Sequence, residues 1–78
     1  MMAIKASEIF MCRLRGRSTG QSWFIADAHT GEPRGAVTLR GGKCDQVAAG
    51  QVIRVEGMGL TEAGNIREPK LCREWRVT

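Results

Sequence analysis

The sequence predicts an all-β fold: a small five-stranded barrel with one short helix between the third and fourth strands. Three observations predict it. Apolar and polar residues alternate with period two along most of the chain, the side-chain period of a strand with one buried face. The alternating runs are short and are separated by glycine-containing turns. One segment, "GGKCDQVAAG", breaks the alternation between the third run and the fourth. A chain of 78 residues is a single domain, spanning 1–78. Folding at this size buries only about 60% of the surface that the unfolded chain exposes. The core is thin, and function belongs on an open surface.

Each element has its own signal. "EIFMCRLRGR" alternates Phe10, Cys12 and Leu14 with Met11, Arg13 and Arg15, a half-buried first strand. Gly16 interrupts it, as glycine does at a bulge or coil. "STGQ" supplies a turn. "SWFIADA" is the second strand, with aromatic and β-branched residues, and "HTGEP" is the turn after it. "RGAVTLR" is the third strand, joined to the second as a hairpin. Cys44 to Ala49 read as one or two helical turns stopped by Gly50. "QVIRVEGMGL" is the fourth strand and "TEAGN" a tight turn. "IREPKLCREWRVT" is the fifth, where Pro69 marks a start, an edge or a bulge. No repeat or linker divides the chain.

The phrase "AAGQVIRVEGMG" places a short helix and a glycine ahead of an alternating apolar strand that ends in glycine. With the order of three strands, helix and two strands, this resembles an OB-fold domain from about Ser7 to Val77. The resemblance is one of architecture and of that phrase. An SH3-like barrel, also built of five short strands, is the competing architecture. The OB resemblance implies a binding groove across strands two and three, flanked by the loops between strands one and two and strands four and five.

Composition narrows the function classes. No apolar run approaches the roughly 20 residues of a membrane helix, and "MMAIKASEIF" has no apolar signal-peptide region; no membrane partner is expected. Three cysteines, Cys12, Cys44 and Cys72, are widely spaced. One stays unpaired in any monomer, which points to a reducing, cytoplasmic setting. A zinc site made by these cysteines and His29 lacks the usual close ligand pairs. His29 is the single histidine, and no nucleophile, base and orienting group form a recognisable set around it. "GRSTGQS" and "LRGGKC" follow neither phosphate-loop spacing. The chain is therefore expected to be a binding protein with no cofactor rather than an enzyme.

The formal charge is +4, and nine of the twelve basic residues are arginine. Arginine donates two parallel hydrogen bonds to phosphate and also stacks on bases. The expected partner is single-stranded DNA or RNA, bound by stacking and phosphate contacts. The candidate residues are Arg13, Arg15 and Arg17 on one face of strand one, and Trp23 and Phe24 on strand two. To these are added Arg34, Thr38 and Arg40 on strand three, Lys43 beyond it, and Arg54 on strand four. Trp23 and Phe24 point to opposite faces because they are consecutive on a strand. The reading favours Phe24 in the core beside Ala26 and Trp23 on the groove. Trp75 is expected in the core. The bland reading of the arginines is a solvated face paired with acids such as Glu56 or Glu74.

Only four aromatic residues are present, few for a single-strand binder, so a homodimer or larger homo-oligomer that joins several grooves is expected to raise affinity. Two other readings compete. One is a protein-interaction module that docks a partner along an exposed edge strand, with "GMGL" (Gly57 to Leu60) as a ridge. The other is an enzyme subunit or a metal site built on the cysteines.

Overall fold

The computed structural model describes residues 7–77. The N-terminal stretch up to residue 6, and Thr78 at the end of the expected fifth strand, lie outside the described residues. Five strands are present: β1 (Glu8–Arg17), β2 (Ser22–Asp27), β3 (Pro33–Thr38), β4 (Val52–Gly57) and β5 (Lys70–Arg76). They form one antiparallel sheet in the order β3-β2-β1-β4-β5. The all-β expectation holds. The sheet is not closed: β3 and β5 approach each other but share no ladder, so two strand edges face one another across a gap.

The expected helix is not an α-helix. Lys43–Asp45 form a single 3₁₀ turn. Gly42 stands ahead of it and offers no side-chain oxygen to its free N–H groups, so an α-helix is not nucleated there. The residues after it close on themselves instead, with the Ala48 N–H donating to Gln51 Oε1 at 3.2 Å. Pro69 stands immediately before β5, where its missing N–H costs no ladder bond.

The inner face follows from the register. Cys12 lies opposite Ile53 and Phe10 opposite Val55 across β1 and β4. Leu14 faces Ile25, and Trp23 faces Val37. These residues form one core with Leu39, Cys44, Ile66 and Trp75. Trp75 is buried, as expected. Burial also removes Cys12 from chemistry: desolvation, with a smaller push from Asp27, raises its thiol pKa to about 11, so the thiolate is scarce near neutrality.

Two irregularities position the surface. The first is a bulge in β1, where Leu14 pairs with Ile25 but Gly16 pairs with Phe24. Arg15 is the extra residue, close to where Gly16 signalled a break. The second is in β3, where Ile25 pairs with Gly35 and Ala26 with Pro33, leaving Arg34 unpaired. Gly35 has φ 92°, and a Cβ there would stand 3.2 Å from the Asn65 side chain. Both the left-handed backbone and the close approach of the β4–β5 loop favour glycine here.

Candidate nucleic-acid interface

Trp23 and Phe24 occupy the opposite places from those expected. Trp23 is buried, and Phe24 is 51% exposed. Alternation requires the two to face apart and leaves the choice open; the cross-strand neighbours make it. Phe24 stands opposite Gly16 and Ala36, small residues that leave its ring uncovered. Trp23 stands opposite Val37 on the core side, and its indole Nε1–H donates to the Cys44 carbonyl at 3.1 Å. Burying an indole requires such a partner. The aromatic on the outer face is Phe24.

The three arginines of β1 do not share a face. Arg13 pairs with Ala26 and Arg17 with Trp23, positions of opposite parity on β2. The bulge at Arg15 inverts the alternation. Arg13 and Arg15 are exposed on the outer face beside Phe24, whereas Arg17 is turned to the side of Trp23. Their partners also differ from the acids expected. Arg17 forms an exposed ion pair with Asp45 at 3.0 Å, and Arg13 donates to the Gly50 carbonyl at 2.8 Å.

Arg15 and Phe24 meet in a shallow depression of about 300 Å³ on the outer face. Its other walls come from Ala26, from Gly31 and Pro33 in the β2–β3 hairpin, from Gly35, and from Asn65 of the β4–β5 loop. The expected loop between the fourth and fifth strands, Thr61 to Asn65, borders this depression through Asn65. Along the same outer face the Ser22 and Thr38 hydroxyls lie 3.2 Å apart across the β2–β3 ladder.

A larger cleft of about 640 Å³ lies where β3 ends and β5 begins. It brings together three further candidates, Thr38, Arg40 and Lys43, and sets them against Glu68, Pro69, Lys70, Leu71 and Arg73, with Trp75 beneath.

Two candidates have structural tasks. Arg34 is mostly buried, with 13% of its side chain exposed; it lies 3.4 Å from Glu32 and 3.8 Å from Asp27. It also donates to the Gly64 carbonyl at 3.2 Å, tying the β2–β3 hairpin to the β4–β5 loop. Arg54 donates to the carbonyls of Glu74 and Arg76 at 2.8 and 2.7 Å. It braces β5 where the ladder shifts register, with Cys72 to Trp75 lying between the Leu71 and Arg76 pairings.

The turn around His29 is organised by Asp27. One carboxylate oxygen accepts the backbone N–H of His29 at 2.7 Å and that of Thr30 at 2.9 Å. The Thr30 and His29 bonds hold the Asp27 pKa below its usual value, with Arg34 adding to the effect. Among the described residues no three His, Cys, Asp or Glu side chains converge as a metal site. No helix of the described residues is long and apolar enough to cross a membrane. No protein-family model, no curated protein and no solved structure matches the chain.

Proposed function

We propose that this chain is an OB-like, partly open barrel that binds single-stranded DNA or RNA on the outer face of β1, β2 and β3. The strand order supports the architecture. The central β1 pairs with both β2 and β4, and β3 and β5 approach across the gap where a barrel of this kind would close.

The observation that carries the functional reading is the exposed Phe24 ring beside Arg15 in one depression, bordered by the β2–β3 hairpin and the β4–β5 loop. An exposed phenylalanine on a strand loses hydrophobic stabilisation unless something covers it. A base covers it well, since base–aromatic stacking contributes about 1–3 kcal/mol and tolerates any sequence. Arg15 stands where a neighbouring phosphate would pass, and Ser22 and Thr38 offer hydroxyls along the same face.

The test is a titration of labelled single-stranded and duplex oligonucleotides at two salt concentrations. Binding that prefers the single strand and weakens with salt is expected. Absence of single-strand binding at low salt overturns the reading. A homodimer that places two Phe24 faces on one strand supplies the avidity that a single aromatic lacks. Sedimentation as a monomer at tens of micromolar, by order of magnitude, removes that part.

A second reading rests on Leu60, 44% exposed in the β4–β5 loop after "GMG", and on the unpaired edges of β3 and β5. A partner strand added to either edge would use them. A complex that survives nuclease and high salt would favour it.

A further inference from the structure

Cations concentrate in the cleft between β3 and β5. Arg40, Lys43, Lys70 and Arg73 line it with one carboxylate, Glu68. The ion pairs among the described residues use Arg17 and Arg34, so these four cations stand around one concavity with no carboxylate of the described residues in contact. Like charges gathered in a cleft repel one another, and the field they focus there attracts an anion.

The cleft also continues the outer face that carries Phe24. Phe24 and Ser22 are same-face neighbours on β2, Ser22 stands opposite Thr38 on β3, and Thr38 lines the cleft. Same-face neighbours on a strand are roughly 6.5 Å apart. The run from Phe24 past the two hydroxyls to Arg40 is therefore short enough for one extended polyanion to follow.

We propose that this cleft is a phosphate subsite for the strand whose base stacks on Phe24, with Lys70 and Arg73 of β5 facing Arg40 and Lys43 across it. The inference rests on the functional reading above and adds β5 to the interface. It gives the open gap a use: a closed ladder between β3 and β5 would remove the cleft. Glu68 lines the same cleft and offsets part of the repulsion among the four cations of the unliganded cluster.

The experiment measures binding of a labelled oligothymidylate of about ten nucleotides across a salt series, for the native chain, Lys70→Gln/Arg73→Gln and Phe24→Ala. Both β5 residues are exposed, and circular dichroism checks that the variants fold. The β5 double variant is expected to bind more weakly and to lower the slope of log K against log salt by about 0.7 for each phosphate no longer neutralised. Phe24→Ala is expected to weaken binding at an unchanged slope. If Phe24→Ala weakens binding while the double variant keeps the native affinity and slope, the subsite is overturned and the functional reading stands. If the native chain binds no single strand, both fall. Inorganic pyrophosphate and adenosine triphosphate serve as competitors. Displacement only at concentrations far above the oligonucleotide supports a backbone track, and displacement at equal concentration overturns it in favour of a free-nucleotide pocket.

Discussion

The indole Nε1 of Trp23 donates to the Cys44 backbone carbonyl at 3.1 Å. This bond fastens the middle of β2 to the 3₁₀ turn beyond β3 and fixes which of two adjacent aromatics is structural. Trp23→Phe keeps most of the apolar volume and leaves a buried carbonyl without its donor. A loss of about 1–3 kcal/mol is expected, read as a lower urea midpoint. Oligonucleotide affinity of the folded variant is expected to be unchanged.

Phe24 has the opposite profile. Phe24→Ala is expected to leave stability within about 0.5 kcal/mol and to weaken single-strand binding by about 1–3 kcal/mol, on the order of 5- to 150-fold. Phe24→Trp retains a stacking surface and introduces an exposed indole. Its fluorescence is expected to quench on adding oligothymidylate, whereas the buried Trp23 of the native chain responds weakly.

Asp27 supplies a pH signature. Its folded pKa is held below the unfolded value by the Thr30 and His29 N–H groups. The stability it contributes is therefore present above the unfolded pKa of about 3.9 and is lost as pH falls through the depressed folded value. Asp27→Asn keeps an acceptor for the turn and discards the charge beside Arg34. The urea midpoints of native and variant protein are expected to differ near pH 7 and to converge once the pH has fallen through the depressed folded pKa of Asp27. A gap that stays constant down to that pH would show that the charge is not what the turn uses.

Gly57 ends β4 against the core, where an added Cβ would collide with the Ile66 side chain. Ile66 is buried, so it cannot swing into solvent. Gly57→Ala is expected to cost about 1–3 kcal/mol by overpacking, measured by thermal melting. Ile66→Ala removes the colliding γ-methyl, so combining it with Gly57→Ala is expected to cost less than the sum of the two single losses.

The cysteines test the core directly. Cys12 and Cys44 are buried and Cys72 is half-buried in the cleft wall. Iodoacetamide near pH 8 is expected to label Cys72 first and to reach Cys12 only on unfolding. Bound oligonucleotide is expected to slow the labelling of Cys72.

Much of the fold was legible because strand periodicity and turn residues act locally. The strand positions, the β2–β3 hairpin, the break near Gly16 and the burial of Trp75 all follow from short windows. The errors arose where a distant partner decides. Period two separates Trp23 from Phe24 but does not rank them; that needed the residues opposite and the Cys44 carbonyl. The same alternation put Arg17 with Arg13 and Arg15 because an inserted residue leaves no trace in composition. Arg34 and Arg54 read as free cations because their acceptors come from Asp27 and Glu32 in one case and from β5 carbonyls in the other. The cleft was half legible: Arg40 and Lys43 were candidates, but their meeting with Lys70 and Arg73 depends on the sheet curling until its first and last strands nearly touch.

The extra residue at Arg15 has a consequence for how such a surface could change. A uniform strand hands each alternate side chain to the same side, so a charge gained on one side is gained at every second step. An inserted residue works as a gear change. Upstream of it the odd positions serve the outer face, and downstream they serve the loop that carries Asp45. One run of alternating arginines thus equips two neighbourhoods, and substitutions on either side of the insertion can be selected independently.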